Sequence, residues 1–197
     1  MSRFRSLLTP LGALLLLSTG AIARDAPPPT EYLDETTGAT VTVVDRPLVF
    51  ARERNERAAN LRDYVTLSAA SVNRGGKVEY VLVAYLWSTL DPRFAPTLGA
   101  DSLVLQADDR RIALTANGKS PSDLGIAQPV YAPPGQQPGQ ESKPMVFPTD
   151  LGTLRFIAAA RNLVIQNQAD DFAYNYELWD DKRRSLARFV RFLEGDR

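Results

Sequence analysis

Three arginines near the C-terminus, Arg184, Arg188 and Arg191, stand at i, i+4 and i+7, a spacing that lines them along one face of a helix. Such a basic stripe can grip an anionic partner: lipid head groups, a cell-wall carboxylate or an acidic protein surface. An ordinary solvated helix carries a charged outer face too, and the later arginines would favour the negative end of the helix dipole. A second set is aromatic. Tyr85, Trp87, Tyr174, Tyr176 and Trp179 fall on or at the ends of strand-like runs. There they could form a platform for a glycan or a peptide, or bury large areas in a core and its edge. The binding candidates are therefore Arg184, Arg188, Arg191, Tyr85, Trp87 and Trp179.

Carboxylates occur in three pairs, Asp108-Asp109, Asp170-Asp171 and Asp180-Asp181. A glycan hydrolase needs two carboxyls from different parts of the chain facing one bond, roughly 5 to 10 Å apart. A calcium loop needs alternate oxygens and a later bidentate glutamate, and that pattern is missing. All three pairs sit where turns are expected, and Asp is a standard turn residue. The inventory excludes more: the chain has no histidine and no cysteine. Histidine-based serine or cysteine triads, zinc sites with nitrogen or sulfur ligands and histidine-ligated haem are thereby ruled out. No catalytic residue, metal or cofactor is expected, and stability must come from core burial without disulfides.

The elements that would position these residues follow an N-terminal segment of another kind. Arg3 and Arg5 precede an apolar stretch from Leu11 to Leu17, followed by the small-x-small triplet Ala21-Ile22-Ala23. That order is a signal peptide cleaved after about Ala23, and its apolar core is too short to span a bilayer. An exported, periplasmic protein is expected, with residues 1–23 as signal, 24–38 as a mobile Pro-rich leader and 39–197 as one domain. Cleavage removes Arg3 and Arg5 from 23 basic side chains set against 23 acidic ones. The remainder is slightly acidic, without the basic footprint of a nucleic-acid binder.

Within the domain, Thr40–Val44 and Leu48–Ala51 read as short strands around the bend Asp45-Arg46-Pro47. Arg52 to Arg62 alternates charges and reads as a solvated turn of helix or a loop. Asp63 to Leu90 predicts a long hairpin turning at Asn73-Arg74-Gly75-Gly76-Lys77, because Asn and Gly accept the positive φ of a tight reversal. Its second arm is apolar on both faces, which predicts a central strand covered on both sides. A second hairpin runs from Ser102 to Thr115, turning at Asp108-Asp109-Arg110. Residues 120–148, crowded with proline and glutamine, predict a long exposed loop. The part around Tyr131 to Gly139 could offer a polyproline stretch to a groove-type partner, or be a simple surface insertion. Thr149 or Asp150 caps a short helix, two strands follow at Leu163–Gln166 and Ala173–Trp179, and a last helix stops at Gly195.

Tyr32 to Val43, Arg46 to Phe50 and the run Tyr85-Leu86-Trp87-Ser88-Thr89 together give the chain its resemblance to small exported proteins of Gram-negative bacteria. That resemblance implies a periplasmic address and no activity or functional residue. The expected fold is α+β, an antiparallel sheet or sandwich with two helices in the C-terminal third packed on it. The expected function is a non-catalytic periplasmic module contacting another envelope component, either a protein or an anionic cell-wall or lipid surface. A carboxylate-dependent hydrolase acting on a glycan or cell-wall polymer is the alternative.

Overall fold

Turn chemistry and alternation account for most of the strands in the computed structural model, which describes residues 28–54, 61–88, 101–127, 144–169 and 172–195. The signal-peptide residues lie outside the described residues. The strands are β1 (Thr30–Asp34), β2 (Ala39–Val43), β3 (Leu48–Glu53), β4 (Arg62–Arg74), β5 (Lys77–Ser88), β6 (Ser102–Ala107), β7 (Arg110–Thr115), β8 (Met145–Thr149), β9 (Leu163–Ala169) and β10 (Phe172–Asp180). The helices are α1 (Leu151–Ala159) and α2 (Arg183–Glu194). The fold is α+β, an antiparallel sheet with its helices in the C-terminal third.

The β4–β5 hairpin is the spine. Gly75 and Gly76 take φ of 57° and 88°, and Asn73 Oδ1 accepts the Gly76 N–H at 2.9 Å, which makes the reversal affordable for the backbone. Along the other edge of β4, β2 and β3 lie end to end: β2 pairs with Ala70–Asn73 and β3 with Arg62–Leu67. The bend at Asp45-Arg46-Pro47 separates them, and Val44 N–H still reaches Ala69 O. From β3 the sheet continues through β10, β9, β6 and β7, while β8 lies on the far side of β5. These two ends meet where the Asn117 N–H, just past β7, donates to Val146 O of β8. The sheet is therefore curled into a nearly closed barrel.

Inside it, one apolar core gathers Phe50, Val65, Leu82, Leu105, Phe147 and Ile165 from the strands with Leu154, Ile157, Leu186 and Phe189 from the helices. Asp150 starts α1 by accepting the Thr153 N–H at 2.8 Å, and Gly195 ends α2 at φ 85°, as helix caps require. The helices seal one end of the barrel, where Ile157 and Leu186 meet Val44, Leu48, Leu67 and Leu82 around a small apolar hollow.

Three stretches differ from expectation. Thr30–Asp34, expected within the mobile leader, is β1, antiparallel to β2. Tyr32 anchors it, donating to Gly125 O at 3.1 Å and accepting from Ala127 N–H at 2.9 Å. Met145–Pro148, expected in the exposed loop, and Thr149, expected as a helix cap, form β8 paired with Tyr80–Ala84. Burial of Met145, Val146 and Phe147 outweighs Pro148, whose side chain is exposed. Arg52, Glu53 and Arg62, expected in a turn or loop, belong to strands β3 and β4. β5 is covered on both faces, since Leu82 and Ala84 join the inner core and Val81, Val83 and Tyr85 an outer one with Leu124 and Ile126.

Candidate functional site

β3, β4, β5 and β10 carry two different surfaces, one on each face. On the outside an aromatic ladder crosses the strands. Tyr64 and Trp87 face each other across β4 and β5 and stack with centroids 4.1 Å apart at 10°. The indole N–H of Trp87 donates to Thr66 Oγ1 at 2.9 Å, so the buried ring keeps its one polar group satisfied. Trp179 meets Tyr64 edge-on at 6.5 Å. Trp179 continues the exposed alternation of Ala173, Asn175 and Glu177 along β10 and is 52% exposed, where the β3–β10 register slips between Leu178 and Asp180. The Arg62 guanidinium lies 4.3 Å from the Trp179 ring centroid and donates to Glu53 at 2.9 Å, which raises it above its usual range. Cation and ring together fix the indole in place.

On the inside, alternation carries polar residues to the rim of the core. Arg52 pairs with Asp63, and Asp63 with Ser88. Asp63 is fully buried, accepts from Ser88 Oγ at 2.7 Å and pairs with Arg54 at 3.5 Å. Arg52 covers the Tyr174 ring at 3.8 Å. Tyr176 is buried deeper, and burial first, then the charge of Asp63, pushes its hydroxyl up to about 12. It stays protonated at neutral pH and can donate a hydrogen bond but not act as a base.

Of the six binding candidates read from sequence, Trp87 and Trp179 are brought together through Tyr64. Tyr85 lies on the same outer face but is buried in the other outer cluster, where burial pushes its hydroxyl up to about 12. Arg184 and Arg191 are exposed on α2, while Arg188 is half-buried and engaged in a contact. On the same helix Leu186, Phe189 and Val190 are buried, so the stripe does occupy the outer face. Sequence reasoning missed Tyr64, Asp63, Arg52 and Asn167. Their signal was phase: Arg52 continues Leu48 and Phe50 at every second residue, and Asp63 leads into Val65 and Leu67.

The acidic pairs have structural work. Asp108 accepts the Arg161 and Asn162 N–H groups at 3.0 and 2.8 Å, which holds its carboxyl below the usual range. Asp180 pairs with Lys182 at 2.7 Å, and Asp181 with Arg183. Asp170-Asp171 and the Tyr131–Gly139 stretch lie outside the described residues. Among the described residues, no three acidic groups gather where a metal could be held, and no helix is long and apolar enough to cross a membrane. No protein-family model, curated protein or solved structure matches the chain.

Proposed function

We propose that the chain is a non-catalytic binding module of the cell envelope, exported to the periplasm after loss of residues 1–23, and that its contact surface is the outer face around Trp179. The observation that carries this reading is the exposed indole. Large aromatics of soluble domains are normally buried, whereas Trp179 is half out of the sheet and is held rigid by Arg62 and Tyr64. A rigid ring with a neighbouring guanidinium suits the flat face and hydroxyls of a sugar, so the partner is an envelope glycan. Preorganisation makes such a contact cheap to form, because little side-chain freedom remains to be lost.

The test is a sedimentation assay of the folded protein with purified insoluble cell wall. Trp179→Ala should weaken binding at least about tenfold, the loss expected for a central aromatic anchor. Its thermal midpoint should fall less than for a core ring, since about half of the ring is exposed. The triple variant Arg184→Gln, Arg188→Gln, Arg191→Gln should bind as wild type. Loss of binding only in the triple variant would move the surface to α2 and to an anionic partner.

A further inference from the structure

The barrel closes at one point and fails at the next. The Asn117 N–H reaches Val146 O at 3.1 Å, and antiparallel continuation of that pairing would bring Thr115 opposite Pro148. Each of the two would then have to give an N–H to the other. Pro148 has none to give, because its nitrogen is closed in the ring. Phe147 stands across from Leu82 on the β5 side, so Val146 and Pro148 turn their backbone groups the other way, toward β7. Among the described residues, no ladder joins β7 to β8.

The strand left over is β7. Its two-residue turn from β6 pairs Ala107 with Arg110, so Arg110, Ile112 and Leu114 bond to β6. The Ala116 N–H continues that series to Asp101 O at 2.7 Å. Arg111, Ala113 and Thr115 therefore aim their N–H and C=O groups away from β6, and among the described residues these groups meet no backbone partner. All three residues are exposed. Where β8 ends, α1 begins, and a groove of about 500 Å³ lies between Arg110 and the first turns of α1, lined by Thr153, Arg155 and Phe156. The Arg110 guanidinium stands 5.2 Å from the Phe156 ring centroid.

An unpaired strand edge is a template for an extended chain, and its main-chain groups supply the affinity. The side chains select the partner. Arg155 serves Glu194, and Arg110 sits in the field of Asp150. Arg111 instead donates to the neutral Gln166 Oε1 at 3.1 Å on the outer face. A carboxylate directly across from it would form an opposite-charge cross-strand pair. A second copy of β7 would add two further arginines to this edge, which charge disfavours.

We propose that the outer edge of β7 takes up an extended segment of a partner protein by strand addition. The segment places an acidic side chain opposite Arg111 and turns apolar side chains toward Ile112 and the groove. This edge lies three strands from β10 in the sheet, so it is separate from the Trp179 surface and does not depend on the glycan reading.

The probe is a blocked hexapeptide alternating glutamate and valine, titrated into the folded, isotope-labelled chain and followed by amide chemical shifts and hydrogen exchange. The amides of Arg111, Ala113 and Thr115 should shift saturably and exchange at least about tenfold more slowly. A fully N-methylated peptide lacks the donors of a ladder, and a lysine-for-glutamate peptide reverses the charge. Each should bind at least about tenfold more weakly. Ala113→Pro removes one outward N–H, leaves the bonds to β6 in place and should weaken binding as much. Arg111→Gln should abolish the preference for glutamate over glutamine in the peptide, and Trp179→Ala should bind as wild type. Shifts absent at about 1 mM peptide, or confined to other amides, would overturn the proposal. Equal binding of the N-methylated peptide would overturn it too, by showing contact without a ladder, and this comparison decides if Ala113→Pro does not fold. Concentration-dependent dimerisation that Ala113→Pro abolishes would put a second copy of the chain in the partner's place.

Discussion

Asp63 is where the fold and the site depend most on one side chain. Its carboxylate is fully buried between β3 and β5. It accepts from Ser88 at 2.7 Å and sits 3.5 Å from an Arg54 guanidinium whose side chain is only 13% exposed. Replacing Asp63 by alanine removes the acceptor and leaves a mostly buried cation without this counter-charge. Breaking a buried pair from one side costs about 3 to 5 kcal/mol, and the residual access of Arg54 to solvent places this case near the lower figure. For a chain of this size, about 3 kcal/mol corresponds to a fall in Tm of roughly 6 to 12 °C. Urea titrations followed by tryptophan fluorescence would measure it, since Trp87 and Trp179 both flank the site. The double variant Asp63→Ala with Arg54→Met should recover part of the loss, giving a coupling of at least about 1 kcal/mol. A single-variant cost under about 1 kcal/mol, or strict additivity in the cycle, would refute the claim that the pair acts as a unit.

Phe147→Ala should destabilise by about 3 to 5 kcal/mol in the same titration, because a fully buried ring of the inner core leaves a cavity. Gly125→Ala should cost about 1 to 3 kcal/mol through its left-handed backbone alone. The added Cβ would also fall 2.7 Å from Thr37 Oγ1, so hydrogen exchange of β1 should accelerate most. The Thr153 hydroxyl and N–H hold the Asp150 carboxyl below its ordinary value of 3.8. Its stabilisation is complete above that value and fades as pH falls through the lower folded-state value. Urea midpoints should thus drop on the acid side and less steeply in Asp150→Asn. Between pH 5 and 8 they should stay level in a chain without histidine.

The hairpins were legible because their signals are local. Asn-Arg-Gly-Gly and Asp-Asp-Arg each stand between alternating runs, and β4–β5 and β6–β7 turn at those places. α1 and α2 were legible from caps and periodicity. β8 was hidden because its pairing with β5 is decided by distant apolar residues, while its own neighbourhood is dominated by proline. β1 was hidden because an edge strand needs few apolar residues, and only Tyr32 binds it to the outer core. Two of the three rings of the aromatic surface could be read, since Trp87 and Trp179 are conspicuous, but Tyr64 joins them only through the β4–β5 register. The inner rim could not be assembled from sequence, because Arg52, Asp63, Asn167 and Tyr176 come from four strands and meet only when the sheet curls.

The place of β3 between β4 and β10 has a kinetic side. Phe50 pairs with Val65 on one flank and with Leu178 on the other, so an early strand waits for nearly the last one. Pairings of such high contact order are slow, because a long loop must close before its contacts hold it. A nascent chain lacking its final strand and helix has no finished barrel to stall on, and stays threadable. For a protein proposed to be exported, such a delay would keep the chain unfolded while it is carried across.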